Sequence, residues 1–243
     1  MLERLDKLLI QRNLVSSRTR AEEIIRTHGV MVDGKLINKT GKKIPVDCEI
    51  KMIEEEIPWV SRGALKLVAA LEEWNPNIKG KTFMDIGAST GGFTEVLLEN
   101  GAKKVYCVDV GLDQLHEKIN QRKEVVNLEK THVRELNTRI IDEPIDGCVI
   151  DVSFISLKKV LPFIHSFLKE GAFVIALVKP QFEVGKDNVG KGGIVKNKSL
   201  YPLVIKEVAA EAKKNNLSKV GTIESPVLGG DGNMEFLMYL IKE

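Results

Sequence analysis

Long apolar runs are missing from this sequence. The longest stretch built only from hydrophobic residues is Ala172 to Val178, seven residues, against the roughly 20 that a helix needs to span a bilayer, so no membrane-spanning segment and no membrane partner are expected. Cysteine is scarce too. Cys48, Cys107 and Cys148 are odd in number and widely spaced, with neither a CxxC pair nor a nearby pair of histidines, which argues against a disulfide framework and a zinc site; no metal is expected. An excess of one charge sign is also absent, with 36 Lys and Arg against 34 Asp and Glu, and 43% of the residues are hydrophobic. Such a chain is too balanced and too apolar to be a polyelectrolyte tail or a disordered segment. The opening Met-Leu-Glu-Arg-Leu-Asp-Lys alternates charge with leucine and lacks the apolar core of a secretory signal, so the cytoplasm is the expected location.

The small net charge hides an asymmetry. Residues 1–43 hold ten basic and five acidic side chains, while the rest of the chain is slightly acidic. A basic module on an acidic body suits a protein in which one part holds a polyanion, the alternative being a solvated charged face. Leu5, Leu8 and Leu9 mark an amphipathic first helix. A second helix follows, with Ser17 as N-cap or Thr19 and Glu22 as a competing capping box, an apolar stripe of Ala21, Ile24 and Ile25, and Gly29 as its stop. Val30 to Val32, the turn Asp33-Gly34 and Lys35 to Ile37 read as a hairpin, and Cys48 to Ile53 as another strand. The segments Arg4-Leu-Asp-Lys-Leu-Leu, Ser17-Arg-Thr-Arg-Ala and Val30-Met-Val-Asp-Gly-Lys35 resemble the small RNA-binding domain named after ribosomal protein S4. That resemblance implies a basic face that grips RNA phosphates, with Arg4, Lys7, Arg12, Arg18, Arg20 and Lys35 as the contacts. Glu54 to Trp59, with its proline at 58, breaks the pattern, and the boundary is expected near residue 60: an RNA-binding domain over 1–60 and a second domain over 61–243.

From residue 61 strand and helix alternate. Strands are expected at 82–85, 104–110, 125–128, 147–152, 172–178, 218–224 and 236–241, and helices at 64–74, 93–100, 113–120, 157–168 and 202–215. The pattern argues for an α/β fold, a mostly parallel seven-stranded sheet with helices on both faces, whose ligands bind at the carboxyl ends of the strands. The first of these strands ends in Asp85-Ile-Gly87-Ala-Ser-Thr-Gly91-Gly92-Phe93. Glycines there admit positive φ and let backbone approach a nucleotide-like ligand. The dinucleotide signature would need glycine at 89, which is serine. The D-x-G-x-x-x-G-G spacing instead resembles the turn of Rossmann-like S-adenosylmethionine-dependent methyltransferases. That implies S-adenosyl-L-methionine as cofactor, held by Asp85, Gly87, Ala88, Ser89, Thr90, Gly91, Gly92, Phe93, Asp109 and Asp151. A second motif, Gly185 to Lys191, fits GxxxxGK, but Gly192 stands where a phosphate loop needs Ser or Thr for magnesium, which excludes nucleoside triphosphate hydrolysis. With Lys186, Lys191, Lys196 and Lys198, this segment reads as a cationic lid or as a disordered linker.

Four charged residues complete the reading: Lys66 in Ser61-Arg-x-x-x-Lys66, Asp151 after Ile150, Lys179 before Pro180 and Glu235 after Met234. Singly each is an ordinary polar end to an apolar element. Their order resembles the catalytic tetrad of FtsJ-like ribose 2′-O-methyltransferases, and its combination with the N-terminal module resembles the TlyA family, which methylates cytidine 2′-hydroxyls of ribosomal RNA. The resemblance implies ribosomal RNA or ribosomal subunits as partner. A ribose hydroxyl is a poor nucleophile, so a group beside it must take or orient its proton; Lys179 is the candidate, as base or as positioner. Methylation of a base nitrogen is disfavoured because Asp151-Val-Ser-Phe154 lacks the prolines of that enzyme type. Two other readings remain: an RNA-binding protein on an inactive methyltransferase fold, and membrane lysis, since TlyA family members are also described as haemolysins. Nothing in the sequence sets the oligomeric state.

Overall fold

The first regular residues, β1 (Leu2–Arg4), run straight into α1 (Leu5–Gln11). The i, i+3, i+4 leucines turn to one side and are buried, each contributing about 1.5–3 kcal/mol relative to exposure. They pack on Ala21, Ile24 and Ile25 of α2 (Arg18–Thr27). Ser17 caps α2, the Arg20 amide donating to its Oγ at 3.2 Å; the side chain of Thr19, the alternative cap, is not among those described. Strands β2 (Val30–Val32), β3 (Lys35–Ile37), β4 (Lys43–Pro45) and β5 (Ile50–Met52) follow. Asp33 and Gly34 both take positive φ, 46° and 73°, the geometry that a two-residue hairpin turn needs. β2 lies between β3 and β5, and β1 pairs with β4, all antiparallel. The computed structural model describes residues 1–15, 17–27, 29–52, 58–229 and 232–243. Ile53 and most of the expected boundary segment therefore lie outside the described residues. The chain divides into two units, Met1–Pro58 and Trp59–Glu243.

The second unit opens with α3 (Ala64–Trp74). It continues through β6 (Thr82–Ile86), α4 (Gly92–Glu99), β7 (Lys104–Val108), α5 (Glu117–Asn120), β8 (Val125–Leu128), β9 (Ile145–Ile150), α6 (Leu161–Ile164) and β10 (Leu168–Val178) to α7 (Tyr201–Lys214), β11 (Leu217–Glu224) and β12 (Phe236–Lys242). The seven strands run in the order β11-β12-β10-β9-β6-β7-β8. β12 is antiparallel to both its neighbours and the remaining pairings are parallel. Both faces are covered, and the strand residues alternate between two cores: Met84, Tyr106, Cys148 and Val174 on one side, Phe83, Val105, Val149 and Ile175 on the other. This is why the strands read as continuous apolar runs. The order reverses between β6 and β9, which puts a crevice at their carboxyl ends.

Three segments differ from expectation. The helix expected over 113–120 forms only at Glu117–Asn120, because Asp113 sits at φ 53° and the amides of Asp113, Gln114 and Leu115 donate to the Glu129 carboxylate at 2.8, 2.9 and 3.2 Å. The helix expected over 157–168 is a 3-10 turn, Leu157–Lys159, followed by α6, and β10 starts already at Leu168. The glycine-rich segment is folded. Val189 bridges Val195, which is buried, and the Asn233 side chain accepts from the Val195 amide at 3.0 Å and donates to the Gly193 carbonyl at 2.9 Å.

Arg12 in the first unit donates to the carbonyls of Cys48 and Val46 at 2.8 and 2.5 Å, tying the end of α1 to the stretch before β5. Arg12→Ala should lower the stability of that unit by about 1–3 kcal/mol, since two part-buried carbonyls lose a charged donor. Arg12→Lys should recover little, because an ammonium lacks the planar fork. Urea denaturation followed by circular dichroism checks both.

Candidate active site

The turn after β6 is shaped by close contacts that only glycine allows. Gly87 sits at φ 83°, and a Cβ there would collide with the carbonyl oxygen of Asp151. A Cβ on Gly92 would collide with Ser61 Oγ. The Asp151 amide donates to the Ile86 carbonyl at 2.9 Å, so the ends of β6 and β9 are held at backbone contact. Asp109, one residue past β7, is fixed by two main-chain donors, Ser89 N–H to Oδ2 at 2.8 Å and Gly111 N–H to Oδ1 at 2.7 Å. Each carboxylate oxygen keeps a further lone pair for a ligand hydroxyl.

Two cavities open on this crevice. One, of about 370 Å³, is lined by Gly87, Ser89, Asp109 and Asp151 together with apolar Ile86, Val108, Val133 and Ile155. The other, of about 200 Å³, is lined by Ser61, Gly63, Ala88, Thr90, Gly92, Phe93 and Lys179 and shares Gly87, Ser89, Asp151 and Ser153 with the first. A wider groove of about 750 Å³ shares Ser153 and Phe154 and runs past Lys159, Phe182 and Lys186. Of the expected cofactor residues, Asp85 and Gly91 line neither of the first two cavities. Asp85 lies behind the turn, fully buried, accepting from Thr94 Oγ1 at 2.6 Å through Oδ2. Its Oδ1 has no hydrogen-bond partner among the described residues. Burial, with smaller contributions from Asp151 and Asp109, pushes its carboxyl up to about 7 against the hydrogen bond from Thr94.

The four expected charged residues form two ion pairs. Lys179 and Asp151 are the first residues past β10 and β9, adjacent parallel strands, and the Lys179 ammonium lies 2.6 Å from Asp151 Oδ1 and donates to Ser153 Oγ at 2.9 Å. Lys66 on α3 donates to Glu235 Oε2 at 2.6 Å, just before β12. This second pair is buried and lines neither cavity. The start of α3 links the two pairs: a Cβ on Gly63 would stand 3.9 Å from Asp151 Oδ2. Gly230 and Asp231, in the loop before Glu235, lie outside the described residues.

Of the expected RNA contacts in the first unit, Lys7 and Lys35 are exposed. Arg4 and Arg18 reach solvent while paired to the buried Asp6, at 2.8 and 3.2 Å, whose carboxyl the Arg4 hydrogen bonds hold below the usual range. Arg20 is buried and Arg12 is engaged with main-chain carbonyls. Ser61, Ser153, Phe182 and Glu183 had not been singled out. Ser61 and Ser153 are isolated residues that only the fold brings to the crevice, Phe182 lines the wider groove, and Glu183 lies behind it, bonded to Ser156 and Leu157.

The FtsJ-like methyltransferase model matches residues 59–242 and the S4 domain model residues 3–50. The sequence is 41% identical over 238 residues, 98% of this chain and 89% of the relative, to the 16S/23S rRNA (cytidine-2′-O)-methyltransferase TlyA of Mycobacterium tuberculosis. It is 35% identical over 239 residues, 98% of this chain and 99% of the relative, to Hemolysin A of Brachyspira hyodysenteriae. A solved structure from Streptococcus thermophilus that carries a hemolysin name matches with a TM-score of 0.79 and 40% identity, covering 99% of this chain and 88% of that one. The chain belongs to the FtsJ-like methyltransferase family, within the S4-containing TlyA group.

Asp85 gives a pH signature. Between its ordinary value of 3.8 and about 7 the folded protein holds a proton that the unfolded chain has released, so this group makes stability fall as pH rises through that window. Asp85→Asn removes the dependence. Thermal denaturation should show the variant gaining on the wild type from about pH 4 to about pH 7, the difference levelling off above that; a constant difference would contradict the assignment.

Proposed function

We propose that this protein is an S-adenosyl-L-methionine-dependent 2′-O-methyltransferase that acts on cytidine riboses of ribosomal RNA, in the cytoplasm. The observation that carries the reading is the Lys179–Asp151 ion pair on the wall of a glycine-framed crevice, in a chain whose relative from M. tuberculosis bears that activity in its name. The crevice suits the cofactor. Its walls are apolar near Ile86 and Val133, and Asp109, held by two main-chain amides, is ready for ribose hydroxyls. When bound, S-adenosylmethionine supplies a methyl group on a positively charged sulfur.

The chain's own groups act on the acceptor. Lys179 has three N–H donors, of which Ser153 takes one, while Asp151 Oδ1 balances its charge at 2.6 Å. A remaining N–H is left for the ribose 2′-oxygen and fixes which lone pair faces the methyl donor, which makes Lys179 a positioner in this geometry. Asp151 holds Lys179 through Oδ1 and keeps Oδ2 as an acceptor for the hydroxyl proton. Lys66 and Glu235 neutralise each other while buried and hold α3, and with it Ser61 and Gly63, against the crevice. Phe154 stands 92% exposed at φ 64°, its ring 5.4 Å from that of Phe182. An exposed phenyl in left-handed backbone beside the pocket suits stacking on an unpaired base, worth about 1–3 kcal/mol. In the first unit, Lys7, Lys35, Arg4 and Arg18 supply phosphate contacts, which position RNA without reading its sequence.

Among the described residues no helix is long and apolar enough to cross a membrane, and nothing in the site favours the lytic reading over transfer.

Lys179→Ala should reduce methyl transfer to ribosomal RNA by about a hundredfold or more while cofactor affinity stays within a few-fold, measured with labelled cofactor and by calorimetry. Unchanged turnover would refute the assignment. Replacing Lys7, Arg18 and Lys35 together by alanine should weaken RNA binding and flatten its dependence on salt, by about 0.7–0.9 in log–log slope for each phosphate that is no longer neutralised. An unaltered slope would remove these residues from the RNA interface.

A further inference from the structure

The two loops that carry Asp151 and Lys179 are joined at both ends. At the near end Lys179 meets Asp151 and Ser153 at 2.6 and 2.9 Å. At the far end the carboxylate of Glu183 takes the Ser156 hydroxyl on Oε2 at 2.6 Å and the Leu157 amide on Oε1 at 2.7 Å. Between them the Phe154 and Phe182 rings meet at 5.4 Å. The far tie is not an ordinary cap of the Leu157–Lys159 turn, because Ser156 Oγ already accepts from the Lys158 amide at 3.1 Å. It reaches across 26 or 27 residues of sequence. Burial pushes the Glu183 carboxyl above its usual range even with both bonds in place, so the protein keeps an acid where it costs stability. The segment it anchors includes Phe154 in left-handed backbone, a conformation that persists only when its surroundings impose it.

We propose that Glu183 is a positioning residue for methyl transfer: by clamping Ser156 and Leu157 it locks residues 153–157 to the 179–183 turn and so fixes Ser153 and Phe154 relative to Lys179. This rests on the reading of Lys179 as the group that meets the ribose hydroxyl. The clamp requires two hydrogen-bonding atoms in a fork and no charge. Glutamine satisfies that, its carbonyl accepting from Leu157 and its amide donating to Ser156; alanine does not.

The test compares Glu183→Ala, Glu183→Gln and Ser156→Ala in the full chain. For Glu183→Ala the expected result is a fall in kcat of about a hundredfold, with KM and Kd for S-adenosylmethionine within about twofold of wild type. Amide hydrogen exchange should speed up in residues 152–157 and stay unchanged in β6 and β9. Glu183→Gln should restore both turnover and exchange protection. Ser156→Ala removes one of the two bonds, should cost about tenfold in kcat, and carries the test if the alanine at 183 does not fold. Wild-type turnover in Glu183→Ala, or glutamine failing as badly as alanine, overturns the proposal. So does exchange that rises throughout the unit together with a weakened cofactor Kd, the mark of a merely structural residue. A wild-type protein that transfers no methyl to RNA would sink the functional reading instead, leaving the clamp to be judged on exchange in residues 152–157, where unchanged protection in Glu183→Ala overturns it.

Discussion

Backbone contact between the ends of β6 and β9 is the constraint on which the site depends. Gly87 has no side chain because the carbonyl of Asp151 occupies that space, and the Asp151 amide closes onto Ile86. With two parallel strands drawn this close where the strand order reverses, the residue following each strand faces the same crevice. Asp151 is thereby placed beside the glycine turn on one side and beside Lys179, at the end of the neighbouring β10, on the other. The proposed acceptor residues and the proposed cofactor cradle therefore come from one packing decision.

Among the described residues, two buried clusters of charge are paired. Lys66 and Glu235 satisfy each other with little solvent, and Asp6 is enclosed by Arg4 and Arg18. Such pairs offset much of the cost of removing their charges from water, while a lone partner would be strongly destabilising. Asp85 differs: with one neutral donor and one unpartnered oxygen among the described residues, its charged form is the disfavoured one. In the N-terminal unit pairing also divides labour. Arg12 and Arg20 are drawn into the fold, whereas Lys7 and Lys35 remain at the surface.

Much of this was legible in the sequence because the signals were local. The leucines of α1, the Asp33-Gly34 turn, the Ser17 cap and the glycine spacing after β6 each follow from the geometry of one segment. The alternation of strands and helices fixed the fold class for the same reason. The helix at 113–120 did not form as expected because Asp113 takes left-handed backbone against the distant Glu129 carboxylate, and the helix at 157–168 is broken at Pro162, which has no N–H to donate to the Lys158 carbonyl. Ser153 and Glu183 carry no periodic or spacing signal, since their partners lie 26 or 27 residues away. The tetrad order was readable, but its division into a pair on the cavity wall and a pair behind it depends on burial, which order alone does not convey.

The most direct measurement is the chemical identity of the product. Ribosomal RNA incubated with the protein and isotopically labelled S-adenosylmethionine, then digested to nucleosides and resolved by mass spectrometry, should yield label in 2′-O-methylcytidine. Label on a base nitrogen, or none in any nucleoside, would contradict a crevice built to present a sugar oxygen.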